Sequence, residues 1–304
     1  MSTSSRQKKI LVCGATGNQG SGVVQHCLKA GQAVFALVRD VTSTSAQKLQ
    51  DSGATLVEGN FDDVESLQRA TATVDAVFFT ATYTLGSETD LRHANNIIAA
   101  ARQSDTVSTI IYTGSASMDR ILAHPMFGPE YSEYEYWTTK RRLETLVRES
   151  GIANWVIVRP AWFMQNFLPP ISDFVFPGLA DKRVMPVAWK PETRVEMVDG
   201  SEVGVVAAAA VADVEKYSGR VIELAAEALT LDEVAEVLSK VSGSQVKVDY
   251  MNPKQLMSLL GPYGGHVAEH QVMHNELGHF IDLEKTNREF KLTGFEEFLQ
   301  RALH

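Results

Sequence analysis

The feature that most constrains this chain is a glycine-spaced loop between an apolar strand and a helix near its start. Ile10–Cys13 is a short apolar run, as found in strands that are buried on both faces of a parallel sheet. Gly14, Gly17 and Gly20 follow it, and apolar residues then recur at helical spacing until Gly31. This order of strand, glycine loop and helix favours a dinucleotide whose phosphates lie at the helix N-terminus.

Each glycine has an expected role in that site. Gly14 makes the tight exit from the strand, Gly17 lets the backbone approach a pyrophosphate, and Gly20 lets helix and strand pack closely. Because turns collect glycine for many reasons, the triplet alone is a weak signal. The flanking strand and helix, with a second strand over Ala33–Val38, make nucleotide binding the favoured interpretation.

Strand and helix signals alternate through the first half of the chain. Further strands are predicted at Thr55–Glu58, Val74–Thr80, Ser108–Thr113 and Trp155–Arg159, with helices near Ser45–Ser52, Val64–Ala70, Glu88–Gln103 and Glu135–Ser150. This alternation predicts an α/β protein with a Rossmann-type, doubly wound parallel sheet. Ligands of such sheets bind at the carboxyl ends of the strands.

The pattern changes at Pro160, where an irregular stretch rich in proline and aromatic residues begins. We therefore expect a flexible tail over residues 1–8 and a dinucleotide-binding Rossmann domain over residues 9–160. A smaller, mostly helical substrate-binding lobe is expected over residues 161–304. A substrate pocket would form where this lobe covers the ends of the strands.

Within the expected lobe, several elements can be predicted. Ser201–Ala212 is predicted to be a helix, and Arg220–Leu224 a strand that returns to the main sheet. Thr230 and Glu233 have the spacing of a capping box at the start of a helix that ends at Gly243.

Composition excludes several kinds of protein. Of 304 residues, 44% are apolar and 21% are charged, as in ordinary globular domains. The net charge of −9 argues against binding to nucleic acid, which needs a basic surface. Cys13 and Cys27 are interpreted as reduced core thiols, the leader MSTSSRQKK lacks an apolar signal segment, and no apolar run reaches membrane-spanning length. We expect a cytoplasmic protein without membrane contact.

Arg39 follows the second predicted strand, at the position that faces the adenine ribose in dinucleotide folds. An acid there accepts a hydrogen bond from the 2′-hydroxyl of NAD, whereas a guanidinium pairs with the extra phosphate of NADP. Asp40 could supply the acid expected for NAD, but it lies one residue beyond the position that faces the ribose. Arg39 as a solvated surface charge is the alternative; NADP is the favoured cofactor.

Asn60 and Phe61 follow the third predicted strand, where a side chain can meet the adenine. The sequence favours neither contact of these two residues with adenine nor its absence. Asp63 is better explained as the N-cap of the next helix.

Tyr136 and Lys140 stand four residues apart on a predicted helix, so their side chains share one face. A nearby ammonium lowers the pKa of a phenol, which helps a tyrosine to donate a proton to a carbonyl. Lys140 can also bind the nicotinamide ribose, and Ser115 is placed to hold the substrate oxygen. The Tyr-x-x-x-Lys spacing also arises by chance, so a fortuitous pair without a catalytic role is the alternative for Tyr136.

His266, His270 and His274 form a stripe at helical spacing. Such a stripe could share a metal ion, but nothing else in the sequence supports one. We interpret it as surface or pocket lining and expect no metal site.

With these motifs, the chain resembles the NmrA-like family of atypical short-chain dehydrogenases. The resemblance covers nearly the whole chain and is carried by GATGNQG, LVRD around Arg39, GNFDD, DAVFFTATY, Lys140, VRPAWFMQNF, GRVIELAAEALTLDEVAEVLS and the closing TGFEEFL. It implies an NADP(H)-binding Rossmann domain and a ligand held under a smaller C-terminal lobe. The family usually shows an acid where this chain has Asn60.

The resemblance also implies which residues contact the cofactor. Its pyrophosphate would be lined by Gly14, Ala15, Thr16, Gly17, Asn18 and Gln19, and its 2′-phosphate by Arg39. Ala81, Thr82 and Tyr83 would pass near it, and Phe163, Met164, Gln165 and Asn166 would close over its nicotinamide end.

The leading functional hypothesis is an NADPH-dependent oxidoreductase that reduces a small, fairly apolar or aromatic carbonyl compound or enone. The residues expected to line its substrate pocket are Trp162, Phe167, Phe174 and Trp189. Many family members lack the catalytic tyrosine and act as redox-sensing regulators, so a non-catalytic NADP(H) sensor with a protein partner is the first alternative. An isomerase or dehydratase on the same scaffold is the second. The sequence leaves a homodimer open.

Overall fold

The structure, a computed structural model, describes residues 6–81, 86–278 and 280–303. Two compact units are present, each formed from three stretches of chain. The first contains the described residues of Met1–Ser115, Thr138–Arg159 and Gly200–Ile222, and the second those of Ala116–Trp137, Pro160–Asp199 and Glu223–His304. The chain passes between the two units after Ser115, Trp137, Arg159, Asp199 and Ile222. The boundary expected near residue 160 stays a prediction.

The strands and helices are numbered in chain order. The strands are β1 (Lys9–Cys13), β2 (Ala33–Val38), β3 (Thr55–Glu58), β4 (Ala76–Thr80), β5 (Thr109–Thr113), β6 (Asn154–Pro160), β7 (Trp162–Phe163), β8 (Val184–Val187), β9 (Val195–Val198), β10 (Arg220–Leu224), β11 (Glu227–Leu229) and β12 (Lys247–Tyr250). The helices are α1 (Asn18–Lys29), α2 (Thr44–Asp51), α3 (Val64–Thr71), α4 (Ser87–Gln103), α5 (Met118–Leu122), α6 (Tyr134–Arg148), α7 (Ser172–Val175), α8 (Val203–Ala212), α9 (Val214–Tyr217), α10 (Leu231–Ser242), α11 (Pro253–Leu260), α12 (Gly264–Leu277), α13 (Leu283–Phe290) and α14 (Phe295–Leu303). Short 3₁₀ turns lie at Met164–Phe167, Gly200–Glu202 and Gly261–Tyr263.

The first unit is built on a seven-stranded sheet with the order β10-β6-β5-β4-β1-β2-β3. β1 pairs in parallel with β2 on one side and with β4 on the other, so the order of the strands reverses beside β1. The parallel pairing continues through β5 and β6. This sheet confirms the predicted Rossmann-type fold, and the strand expected at Arg220–Leu224 joins it as β10.

Local capping patterns fold as the sequence predicts. The Asp63 side chain accepts a hydrogen bond from the Ser66 backbone N–H and so caps α3. Thr230 and Glu233 form a complete capping box at the start of α10, and Gly243 ends that helix in the left-handed conformation. These caps depend only on residues that are close in sequence.

Helix α8 lies in the first unit because it packs unusually closely against α1. A Cβ atom on Gly22 would lie 2.1 Å from the Ser201 carbonyl oxygen, and one on Gly204 would lie 2.3 Å from the Gly22 carbonyl oxygen. The Gln32 side-chain amide also donates to the Ala208 carbonyl oxygen over 2.8 Å. The stretch after residue 199 therefore packs against α1 and belongs to the first unit.

The second unit contains two small sheets, of order β11-β9-β7 and β12-β8. Strands β7, β8, β9 and β11 are only two to four residues long and were not predicted, because they lie outside the regular alternation of strands and helices. Its largest apolar core includes Met164, Phe167, Phe176, Trp189 and Phe295.

Two further expectations can be compared with the structure. Cys13 and Cys27 are free and buried, and burial raises the pKa of each thiol to about 12. Among the described residues, no helix is both long enough and apolar enough to cross a bilayer.

Gly22→Ala should destabilise the protein. The added methyl group would overlap the Ser201 carbonyl, and overpacking of this kind typically costs about 1–3 kcal/mol. We expect thermal unfolding several degrees below wild type. Gly128→Ala is the matched control, because a Cβ there meets nothing within 4 Å. Equal unfolding temperatures for all three proteins would contradict the close packing.

Candidate functional site

The loop after β1 presents an uncapped helix N-terminus. Gly14 has a φ of +78°, which favours glycine, and its carbonyl oxygen accepts the N–H of Gly17 over 3.1 Å. Gly17 is the N-cap of α1 and gives no side-chain cap, so the first N–H groups of the helix have no side-chain acceptor from that residue. Ala15 is buried, whereas Thr16 and Asn18 are exposed. Backbone N–H groups in this arrangement can bind an anion.

Gln19 gives an independent indication that a ligand belongs at this loop. Its side-chain oxygen is buried and has no hydrogen-bond partner in the parts of the chain that the structure describes. Buried polar atoms are nearly always paired, so an atom of this kind next to an uncapped helix fits a site built for a polar ligand.

A pocket of about 410 Å³ lies at the ends of β2 and β3. It is lined by Arg39, Glu58, Gly59, Asn60, Asp63, Ser66 and Arg69. Within the described residues, neither Arg39 nor Arg69 forms a hydrogen bond or an ion pair. Glu58 partly offsets the two positive charges, while Asp63 is engaged in capping α3. Two unpaired guanidinium groups in one pocket fit a phosphate.

Asn60 and Phe61 lie beside this pocket with different surroundings. The Asn60 side-chain oxygen accepts the backbone N–H groups of Asp62 and Asp63 over 2.9 and 3.0 Å, so it closes the turn into α3. Phe61 is half-buried, with its ring edge-on to His93 at 5.4 Å. Contact of either residue with adenine stays a prediction.

Lys140 is held at the carboxyl end of β4. It is buried, and its Nζ donates to the Ala81 carbonyl oxygen over 2.9 Å. Burial lowers the pKa of Lys140 to about 8, although the charges of Asp90 and Glu144 act to raise it. The amine can therefore change its charge near neutral pH. Thr82 and Tyr83, also predicted near the cofactor, lie outside the described residues.

A buried ion pair lies next to Lys140. The Arg159 guanidinium donates from Nε to one Glu144 oxygen and from its terminal nitrogen to the other, both over 2.8 Å. A Cβ on Gly114 would lie 2.7 Å from that carboxylate, so only glycine leaves room for it after β5. Two-point pairing of this kind fixes the position of Glu144 beside the lysine.

Tyr136 and Ser115 are both half-buried. Tyr136 lies on α6 four residues before Lys140, and its ring is edge-on to the Trp137 ring at 5.1 Å. Ser115 follows β5, and its hydroxyl forms no hydrogen bond within the described residues. The helix spacing predicted for Tyr136 and Lys140 is present; their catalytic roles stay predictions.

The stretch predicted to close over the nicotinamide begins on β7 and continues into the following 3₁₀ turn, within the second unit. Phe163 and Asn166 are half-buried, whereas the Met164 side chain is buried in the core. The Gln165 amide donates to Asp199 over 2.6 Å. Contact of this stretch with a cofactor stays a prediction.

The aromatic residues predicted to line a substrate pocket occupy three different environments. Phe167 is buried and stacked on Phe176 at 5.1 Å, and Phe174 is 62% exposed. Trp162 and Trp189 instead lie edge-to-face at 5.4 Å. A substrate pocket lined by these four residues stays a prediction.

A half-buried histidine–carboxylate pair lies in the second unit. His270 Nδ1 donates to Glu133 Oε2 over 3.0 Å, and the same oxygen accepts Trp137 Nε1–H and the Tyr131 hydroxyl, each over 3.1 Å. Burial acts to lower the pKa of His270, but the charge and hydrogen bond of Glu133 raise it overall. Burial acts to raise the pKa of Glu133, but His270 and the two other donors lower it overall. Each group therefore favours the charged form of the other.

The other two histidines of the stripe differ from His270. His266 is exposed. Burial lowers the pKa of His274 to about 3, and the charge of His270 acts in the same direction, so His274 is neutral at physiological pH. The described residues contain no group of three or more histidine, cysteine or acidic side chains that could hold a metal ion.

Comparison with known proteins places the chain in a family. The model of the NmrA-like family matches residues 6–299. This protein belongs to the NmrA-like family. Among its curated relatives is an NAD(P)H azoreductase from Xenophilus azovorans, 29% identical over 255 residues that cover 83% of this chain and 81% of the relative.

Solved structures share the fold over nearly the whole chain. An NADPH-dependent quinone oxidoreductase from Escherichia coli, solved with NADPH, has a TM-score of 0.77 at 22% identity and covers 98% of this chain and 100% of its own. NmrA, a negative transcriptional regulator solved with NADP, has a TM-score of 0.75 at 18% identity and covers 98% and 95%. The fold thus occurs in an enzyme and in a regulator.

Two groups of residues were not found by sequence reasoning. The first is Arg69. It lies three residues after Ser66 on α3, so the two side chains share one helix face, and both line the pocket that contains Arg39. The pairing of Glu133 with His270 spans 137 residues, and no local pattern reveals it.

The Glu133–His270 pair should make stability depend on pH. The raised pKa of His270 stabilises the fold below its unfolded value of 6.5, and this contribution is lost as pH rises through the folded value. The lowered pKa of Glu133 stabilises the fold above 4.5, and this is lost as pH falls through the folded value. We expect Glu133→Gln to remove roughly 1.5–3 kcal/mol between these pH values and less at high pH, measured by urea unfolding.

Glu130→Gln is the matched control, because Glu130 is exposed on the same segment. It should leave the pH profile of wild type unchanged. A Glu133→Gln protein whose stability follows the wild-type profile would show that the pair contributes nothing.

Proposed function

We propose that this protein is an NADPH-dependent reductase of a small apolar or aromatic carbonyl compound or enone. The observation that carries the proposal is the pocket in which Arg39 and Arg69 lie unpaired at the ends of β2 and β3. Family membership and the reductases among its relatives support the chemistry. The substrate class is the proposed part.

The residues present fit NADP(H) at three places. The α1 N-terminus and the loop from Gly14 to Gln19 would hold the pyrophosphate, and the two arginines would hold the 2′-phosphate. Lys140 would hydrogen-bond the nicotinamide ribose, with Asn60 and Phe61 near the adenine. When bound, NADPH supplies a hydride, which carries both electrons of the reduction.

The proton of the reduction is assigned to Tyr136. Its hydroxyl would donate to the substrate oxygen as the carbon accepts the hydride, and the phenolate would recover a proton from solvent. Ser115, whose hydroxyl forms no hydrogen bond within the described residues, would hold that oxygen. Lys140 would lower the pKa of the phenol from one helical turn away.

Arg39→Ala should weaken NADPH binding and leave NADH binding nearly unchanged. A hydrogen bond to a charged group is worth about 1.5–3 kcal/mol, so we expect a tenfold to hundredfold higher Kd for NADPH by calorimetry. Arg69→Ala should also raise the Kd for NADPH, and the variant with both substitutions should lose the preference for NADPH over NADH.

Arg102→Ala is the control, because this exposed arginine lies at the end of α4 and does not line the pocket. Equal loss of affinity for both cofactors in Arg39→Ala, or a wild-type protein that prefers NADH, would refute the assignment.

Tyr136→Phe decides whether this tyrosine is the proton donor. General-acid assistance is typically worth about 10²- to 10⁴-fold, so kcat for a reducible quinone or enone should fall by that order while NADPH affinity stays within a few-fold. The phenylalanine ring keeps the contact with Trp137, so the fold should not change. Unchanged turnover would show that another group donates the proton.

The second candidate function is a non-catalytic NADP(H) sensor. The observation in its favour is the likeness to NmrA, which is described as a negative transcriptional regulator and was solved with NADP. A sensor would bind NADPH without turning over any quinone, enone or ketone. It would also retain a protein partner in a pull-down that changes with the NADP⁺/NADPH ratio.

A further inference from the structure

Glu58 brings a carboxylate into the same pocket as the two arginines. It is the last residue of β3, and its Cα is the register partner of Val38, the last residue of β2, which Arg39 follows. Neighbouring strands of a sheet lie about 4.8 Å apart. Glu58 and Arg39 are therefore at the carboxyl ends of adjacent strands, on the same edge of the sheet, and both line the pocket of about 410 Å³.

The backbone beside Glu58 is fixed from two sides. The Gly59 N–H donates to the Val38 carbonyl oxygen over 3.0 Å, so the chain stays bonded to β2 just beyond the end of β3. A Cβ on Gly59 would lie 2.7 Å from the Ser66 hydroxyl oxygen, so the chain also packs tightly against α3. These contacts hold Glu58 at the wall of the pocket.

The other acid and the neutral polar side chains of this pocket have structural roles. The Asp63 side chain caps α3, the Asn60 oxygen closes the turn into that helix, and the Ser66 hydroxyl donates to the Asp63 carbonyl oxygen over 2.7 Å. The Glu58 side chain, by contrast, forms no hydrogen bond or ion pair within the described residues. Its carboxylate oxygens are therefore available to a ligand.

Neither arginine of the pocket is paired with this carboxylate. Arg39, Arg69 and Glu58 all line the pocket, yet none of the three forms an ion pair in the parts of the chain that the structure describes. A carboxylate repels a phosphate, so Glu58 does not serve the binding of that anion. A carboxylate is, however, the group that accepts a hydrogen bond from the ribose 2′-hydroxyl of NAD. The pocket thus contains groups suited to both forms of the ribose.

We propose that Glu58 is a specificity-determining residue that acts against the two arginines. Its carboxylate accepts a hydrogen bond from the 2′-hydroxyl of NADH and repels the 2′-phosphate of NADPH, whereas Arg39 and Arg69 attract that phosphate. The pocket then binds both cofactors, and Glu58 limits how strongly NADPH is preferred. This inference rests on the proposed function in one respect, namely that the pocket holds the adenine ribose.

The experiment compares NADPH and NADH binding to the full chain and to Glu58→Gln by calorimetry. Removing the charge removes the repulsion, so NADPH should bind about fivefold more tightly. NADH should bind roughly threefold more weakly, because an amide oxygen is a weaker acceptor than a carboxylate. Glu58 is exposed, and its side chain has no contacts of this kind to lose, so thermal unfolding should match wild type.

Two further measurements show whether the charge is the cause. Glu58→Asp keeps the carboxylate and should bind NADPH as wild type does. The tighter NADPH binding of Glu58→Gln should diminish from low to high salt, since ions screen exposed charges. Glu149→Gln is the matched control, because Glu149 is exposed, belongs to the same unit and does not line the pocket. It should leave both affinities unchanged.

Cofactor binding and turnover separate this inference from the proposed function. A protein whose cofactor preference shifts as expected, but which reduces no carbonyl compound or enone, would overturn the proposed function and support this inference. A reductase whose preference is the same in wild type and Glu58→Gln would overturn the inference alone, because Glu58 would then be only a solvated charge on the edge strand β3.

Two other results would also overturn the proposal. The first is tighter NADPH binding in Glu58→Asp equal to that in Glu58→Gln, because the carboxylate charge would then not be the cause. The second is a gain in NADPH affinity in Glu58→Gln that is the same at low and high salt, because screening must weaken a repulsion between exposed charges.

Discussion

Close approach of backbone to backbone around α1 is the constraint on which the first unit depends. A Cβ on Gly20 would lie 2.1 Å from the Gly14 carbonyl oxygen, and one on Gly22 would lie 2.1 Å from that of Ser201. Only glycine permits both contacts, so α1 is held against the turn after β1 on one side and against the start of α8 on the other. Its N-terminus is thereby fixed at the carboxyl end of β1, where the strand order reverses and α/β sheets bind ligands.

Paired charges fix side chains in both units. In the first unit, Arg159 holds Glu144, whose charge acts on the buried amine of Lys140. In the second unit, Glu133 accepts a hydrogen bond from His270 and favours its charged form by raising its pKa. A buried charge without a partner would be strongly unfavourable, so each pair restricts where its members lie. The proposed chemistry uses charged groups that the fold already stabilises.

Local patterns predicted much of this molecule, and long-range pairings account for what they missed. The β1 loop, the strands of the main sheet and the Thr230 capping box depend on residues a few positions apart, and the structure confirms them. The position of α8 depends on the close contact between Gly22 and Gly204. The hydrogen bond between Glu133 and His270 joins residues that are 137 positions apart. Periodicity carries no information about such contacts, because they arise only when the chain is folded.

The most direct test of this account is NADPH binding to Gly17→Val, measured by calorimetry beside thermal unfolding. Gly17 has an ordinary φ of −81°, and a Cβ there would meet only the Gly14 carbonyl oxygen, at 3.4 Å, so the fold should tolerate the side chain. A valine would nevertheless occupy the position that we propose for the pyrophosphate. The account predicts wild-type unfolding and no measurable NADPH binding. Normal NADPH affinity in a folded Gly17→Val protein would show that the loop is an ordinary turn and contradict the central claim.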